Sequence, residues 1–299
     1  PCGTQPDSYS VMFAEDRAEF VRRDGTLTTT VDVVVSPESD AEVRRVSISN
    51  RGATAREIEF TSYSEIVLAT PLADDAHQTF SKLFVETEFA PSSGALLATR
   101  RRRAPDEPEL WAAHLAVVEG NPISGLEFET DRDSFIGRGN DVSTRVSVYD
   151  GRRLSNPVGT VLDPVFSLRR RLRIPAGGVA RISLWTIAAN TRETVLDLVD
   201  RHQDTTGYER AATLAWTQAQ VQLRYLDITP LQASLFQRLA GHVLYANPAL
   251  RSSSDTVRRG LAKPPTLWSQ GISGYVPIVL VRIYELRDSR IVREMLRAH

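Results

Sequence analysis

The sequence predicts a mainly β fold with added α structure: a large antiparallel β-sandwich first and helices afterwards. Three observations carry this. Between about residue 11 and residue 189 apolar and polar residues alternate in runs broken by Gly, Pro and Asn, as strands with one buried face require. From Asn190 onward the apolar spacing changes to three and four, the helical period. The 299 residues suffice for two units, because single cores stop growing at roughly 250 to 300 residues.

Taken in order, Thr28 to Val35 are nearly all threonine and valine, β-branched residues that suit a pleated surface. Asp24-Gly25 ahead of them is a two-residue turn signal following residues 18–22, so a first hairpin is expected. Val46 and Ile48 alternate with serines up to the turn Asn50-Arg51-Gly52. Ile58, Phe60 and Ser62 then continue the alternation toward residues 66–69, which predicts a second, longer hairpin. Further strands are expected at 83–89, 96–102, 111–118, 158–174 and 179–187.

In the helical part, Asn190 with Glu193 comes close to a capping box, and Val195, Leu198, Val199 and His202 then share a face. Trp216, Ala219, Leu223 and Leu226 form a second stripe. Thr229-Pro230 restarts a helix carrying Leu231, Leu235, Leu239 and Val243, and Asn247-Pro248 ends it. Residues 251–265 read as a surface loop and 288–299 as a further helix. The expected organisation is a β domain over 1–189, a helical linker over 190–249 and the first helices of a second domain over 250–299. Both ends read as cut from a larger polypeptide, since the chain begins at Pro1 and stops inside a helical pattern.

Composition excludes several classes. Hydrophobic content of 41% and charged content of 24% are those of a globular protein, not a disordered one. A net charge of -1 argues against wrapping nucleic acid. One cysteine, Cys2, rules out an internal disulfide framework and a multi-cysteine metal site. The longest apolar run, 276–283, is interrupted by Arg282 and is far short of the ~20 residues a membrane span needs.

Candidate chemistry is sparse. Gly271-Ile272-Ser273-Gly274-Tyr275 comes within one residue of a nucleophile elbow, but the last glycine is a tyrosine and no strand precedes it. Asp74, Asp75 and His77 share a loop without a further ligand at metal-binding spacing. Arg100 to Arg103 and Arg169 to Arg171 read as arginines within or at the end of strands, alternate ones facing solvent and pairing with acids such as Asp106 and Glu107. Trp111, Trp185 and Trp216 occupy core positions. Trp268 differs: it lies in a loop with Ser269, Gln270 and Ser273, the mixed apolar and hydrogen-bonding lining that a polyhydroxylated ligand requires. Two glycines and Pro277 follow. A ligand-facing loop and a tight turn feeding a buried helix both fit these residues.

Six segments together resemble a known family: FAEDRAEF (13–20), IEFTSYSE (58–65), LFVETEF (83–89), FIGRG (135–139), LDPVFSLRRR (162–171) and the stretch 267–283. The chain is similar, over essentially its whole length, to the front of the C-terminal region of cyclic β-1,2-glucan synthases. That region is similar in turn to the inverting phosphorylases of glycoside hydrolase family 94. The resemblance implies an antiparallel β-supersandwich, a helical linker and the start of an (α/α)6 barrel. It implies a carbohydrate-active region in which an acid of the barrel protonates the glycosidic oxygen while inorganic phosphate, a co-substrate, attacks the anomeric carbon. The family's catalytic aspartate lies beyond the residues matched, so no catalytic residue is assigned and this chain alone is expected to be non-catalytic. The matching loop implies substrate-binding roles for Trp268, Gln270, Ser273, Gly274 and Tyr275. The family usually carries an aspartate where Tyr275 stands, and tyrosine keeps one hydroxyl but loses the charge and the two-pronged acceptor. No metal or cofactor is implied. The implied partners are a β-glucan oligosaccharide, the rest of a larger polypeptide and a second copy in a homodimer, with no nucleic acid. The implied location is cytoplasmic, within a larger inner-membrane protein. An alternative is a carbohydrate-binding or assembly module with a degenerate barrel.

Overall fold

The computed structural model describes residues 4–102, 104–105, 107–137, 139–140, 151–245, 251–260, 263, 265–275 and 278–298. Arg103, Asp106, Arg138, Asn247, Pro248, Val276, Pro277 and His299, named above, lie outside them. The chain divides into two compact units, Pro1–Gln218 and Ala219–His299.

Two antiparallel sheets build the first unit. The larger has nine strands: β1 (Ser8–Phe13), β2 (Ala18–Asp24), β3 (Leu27–Val35), β4 (Ala41–Asn50), β7 (Val85–Ala90), β8 (Ala95–Arg100), β9 (Trp111–Glu119), β12 (Gly159–Thr160) and β14 (Val179–Ala189). Their order is β1-β2-β3-β4-β14-β9-β8-β7-β12. In the smaller sheet β13 (Pro164–Ile174) is central, with β5 (Arg56–Thr61) and β6 (Ser64–Glu65) along one edge. Its other edge pairs with β10 (Asn121–Pro122) and β11 (Glu127–Asp131). Helices α1 (Pro71–Ala76), α2 (Gln78–Lys82) and α3 (Arg132–Ile136) are short insertions between strands.

The β2–β3 hairpin forms as expected, with Gly25 at φ 57°, the left-handed conformation its two-residue turn demands. The second expected hairpin does not form. β4 lies in the large sheet between β3 and β14, whereas β5 pairs with β13 in the small one. The Asn50 side chain fixes this change of sheet, donating to the carbonyls of Thr54 (2.8 Å) and Pro175 (3.1 Å).

The middle strands of the large sheet, β4, β14, β9 and β8, are packed on both faces. Between the sheets lie Val46, Ile48, Leu172, Ile174 and Ile182, and beside them Val85, Leu96, Phe128, Phe166 and Leu168. On its opposite face Val43, Leu97, Leu115, Trp185 and Ile187 pack against Val195 and Val199 of α4 (Arg192–His202) and Tyr208 and Ala211 of α5 (Gly207–Tyr225). Trp185 is fully buried, so truncation to alanine would cost about 3–5 kcal/mol. Helix α4 is capped by Thr191, which accepts from the Thr194 amide, one residue later than the sequence suggested.

Four other expectations are corrected. Asp74 and Asp75 sit in helix α1 rather than a loop, and Asp74 accepts from the Ser81 hydroxyl at 2.8 Å. Arg169 is buried, donating to the Arg152 carbonyl at 2.7 Å, whereas Arg171 on the same face reaches solvent. Trp216 is half-exposed, because α5 buries Tyr208, Ala211, Ala219 and Leu223, and position 216 lies about 100° around the helix from that row at 215. Residues 278–284 are exposed and non-helical. Their β-branched sequence, Ile-Val-Leu-Val-Arg-Ile-Tyr, has weak helix propensity, and helices in water depend on a face to pack against.

In the second unit α6 (Pro230–Leu244) starts with a complete capping box between Thr229 and Gln232. Gln232 also donates to Glu294 of α9 (Ser289–Ala298) at 2.9 Å. Short helices α7 (Ser254–Arg259) and α8 (Pro265–Trp268) precede the loop that carries the expected sugar-contacting residues. No helix among the described residues is long and apolar enough to cross a membrane.

Candidate functional site

The loop after α8 folds on itself. Gly271 N–H donates to the Trp268 carbonyl (3.0 Å) and Ile272 N–H to that of Leu267 (3.2 Å), a reversal completed by Gly271 and Gly274 at φ 72° and 71°. A side chain at either glycine would strain the backbone. The Trp268 indole donates to the Ser273 carbonyl at 3.1 Å, and its ring lies 6.4 Å from that of Tyr275 at 46°. Both rings are largely exposed, and Gln270 and Ser273 are exposed beside them. Among the described residues the side chains of Gln270 and Ser273 make no hydrogen bond, so both remain available to a ligand. Trp268, expected in a loop, is the last residue of α8, and the other four expected residues lie in the exposed turn directly after it.

In the first unit, three of the sequence motifs meet at one edge of the small sheet. Glu65 accepts from the Tyr63 hydroxyl (3.0 Å) and from Arg132 (3.2 Å), while Lys82 bonds Asp163 at 2.8 Å. The Tyr63 ring stacks on Phe135 with centroids 5.1 Å apart. Burial, then the bond to Glu65, pushes the Tyr63 phenol up to about 12, so it stays a donor. Burial would raise the Glu65 carboxyl, but the Tyr63 and Arg132 bonds outweigh it and hold the group below its usual value. Next to this network Arg169 donates to the Arg152 carbonyl (2.7 Å) and Thr61 (3.1 Å) and pairs with Glu59 (3.3 Å). These are structural joints between strands and insertions.

A polar cavity of about 410 Å³ was not legible in the sequence; it is lined by Glu42, Arg44, Ser62, Tyr63, Ser64, His114, Leu184 and Thr186. Glu42, Thr186 and His114 form one cross-strand row of the large sheet, and Ser62 to Ser64 face them from the small sheet. Ser62 Oγ accepts from the Leu168 amide (3.0 Å) and is hydrogen-bonded to His114 Nε2 at 3.0 Å, while His114 Nδ1 is hydrogen-bonded to Thr186 Oγ1 at 3.3 Å. Burial pulls the His114 pKa down to about 4, against an opposing backbone bond with Trp185, and the imidazole is neutral at pH 7. The only sequence sign was a set of polar residues at inward-facing strand positions.

Residues 1–205 match the family model described as glycosyl hydrolase 94, supersandwich domain. The chain belongs to that family. It is also 41% identical over 286 residues to the cyclic β-(1,2)-glucan synthase NdvB of Rhizobium meliloti (strain 1021), a match covering 96% of this chain and 10% of NdvB. The chain thus spans a small part of that relative. Among solved structures, a kojibiose phosphorylase from the human microbiome aligns at TM-score 0.40 and 6% identity, covering 68% of this chain and 23% of that one. A bacterial glucoamylase complexed with acarbose aligns at TM-score 0.41 and 9% identity, covering 71% and 28%. Likeness at that level bears on neither site nor activity. In this supersandwich the family boundary at 205 falls just after α4, so the family match takes in both sheets and the first helix that packs on them.

Proposed function

We propose that the chain is a carbohydrate-binding region of a larger protein of cyclic β-1,2-glucan synthesis, and that by itself it binds glucan without catalysing. Residues 250–299 are the first helices of an (α/α)6 barrel in this reading, and 190–249 link it to the supersandwich. Trp268 and Tyr275 offer ring faces to a glucosyl unit while Gln270, Ser273 and the Gly274 backbone supply hydrogen bonds. The observation that carries the reading is the exposed Trp268 ring beside two uncommitted polar side chains on a glycine-shaped turn. The whole protein acts as an inverting glycoside phosphorylase with inorganic phosphate as co-substrate, in the cytoplasm within a larger inner-membrane protein. Kinship by sequence with NdvB supports the part of this reading that concerns cyclic β-1,2-glucan synthesis.

Calorimetric titration of the 299-residue chain with β-1,2-linked glucan tests the proposal. Saturable binding that Trp268→Ala weakens about tenfold is expected. Absence of binding, or equal binding by the variant, overturns it. No glucose 1-phosphate should be released by the chain in phosphate buffer; release above a no-protein control overturns the non-catalytic assignment.

A further inference from the structure

We infer that the cavity between the sheets, centred on Thr186, is a second saccharide site, one that takes a neutral polyhydroxylated ligand of one or two sugar rings. That the ligand is a glucosyl unit rests on the proposed function; that it is neutral and rich in hydroxyls rests on the cavity alone.

Size comes first. A volume of about 410 Å³ lies at the lower end of ordinary ligand pockets, roughly 300–1,000 Å³, and suits a small sugar better than a polymer or a single ion. Charge comes second. Glu42 and Arg44 are the two charged lining residues, and they neutralise one another through a 2.6 Å bond from Arg44 Nε to Glu42. An anion would have to break that pair, and a cation would meet a single carboxylate already engaged. His114 adds no charge near neutrality and cannot serve as a metal ligand through Nε2, which is held by Ser62.

Hydrogen-bonding capacity comes third. Thr186 is exposed at the mouth, and its hydroxyl, bonded to His114 Nδ1 at 3.3 Å, has further hydrogen-bonding capacity on its open side. The Ser64 hydroxyl makes no bond among the described residues and is also exposed. The second oxygen of Glu42 and the terminal nitrogens of Arg44 add an acceptor and donors. Donors and acceptors together, with the apolar surface of Leu184 beside them, match the alternating hydroxyl and C–H faces of a pyranose ring. The Ser62–His114–Thr186 chain holds this lining rigid, so little order has to be gained on binding.

The test is an NMR titration of the full chain, labelled at histidine rings and tryptophan indoles, with a β-1,2-linked glucose disaccharide. The expected result is a saturable shift of the His114 ring signal, weakened about tenfold in Thr186→Phe, which fills the mouth. A disaccharide carrying a uronate in place of one glucose should bind more weakly. A His114 signal that stays still at saturating sugar overturns the site without any variant being needed. So does a shift that Thr186→Phe leaves unchanged, or equal affinity for the uronate. The Trp268 indole reports separately on the surface loop. Movement there with a silent His114 supports the loop and rejects the cavity, and the reverse pattern does the opposite.

Discussion

Ser62 and His114, 52 residues apart in the chain, are joined across the two sheets by a 3.0 Å bond between Oγ and Nε2. Burial keeps the imidazole neutral near pH 7, and Arg44 nearby further disfavours a positive charge on it.

The pH dependence of stability follows. His114 titrates at about 4 when folded and near its ordinary 6.5 when unfolded, so the unfolded chain binds more protons between those values. The contribution is fully present above pH 6.5 and is lost as the pH falls toward 4, by about 3 kcal/mol in total. Half-buried His202 is shifted the same way, by burial first and Arg210 next, and adds to the loss. Urea unfolding between pH 7 and pH 4 should show the decline, and His114→Gln should flatten it. Equal slopes for the two proteins would rule out this histidine as the cause.

Arg169 gives a second test of stability. Arg169→Ala leaves Glu59 without one of its partners and removes the bonds to Thr61 and the Arg152 carbonyl, all at a side chain 1% exposed. A loss of about 3–5 kcal/mol is expected in urea unfolding. Less than 1 kcal/mol would mean that the surrounding groups rehydrate or re-pair freely.

Glu65→Gln should cost no more than about 1 kcal/mol, because the carboxylate is substantially exposed and solvent screens its pairs. Its depressed pKa makes this stabilisation present above the ordinary 4.5 and lost as the pH falls through the folded value. Variant and wild type should therefore converge in strong acid and in high salt. A difference that persists under both conditions would assign the effect to packing.

The resemblance implies an aspartate where Tyr275 stands. In the longer protein, Tyr275→Asp should raise release of sugar phosphate about tenfold, the effect of a charged hydrogen bond to a glucosyl hydroxyl. Unchanged or lower turnover would remove Tyr275 from the sugar-contacting set.

Several of these features were visible beforehand and others were not. The β2–β3 hairpin was legible because Asp24-Gly25 is a complete local instruction. The turn at Asn50 was equally visible, yet its strands part to different sheets because acceptors more than a hundred residues away hold the Asn50 amide. The loop residues 268 to 275 were legible as a group, since glycines and small polar residues mark a turn wherever they occur. The cavity was not, because a serine between β5 and β6, a histidine on β9 and a threonine on β14 carry no common spacing.

The sequence by itself determined the order of β then α structure, the turn positions and the family, since strand and helix periods and turn chemistry act within a few residues. Tertiary structure alone decided which sheet each strand joined, that Arg169 is buried and that Ser62 meets His114. Those outcomes depend on partners distant along the chain, whose burial and hydrogen bonds no local window contains.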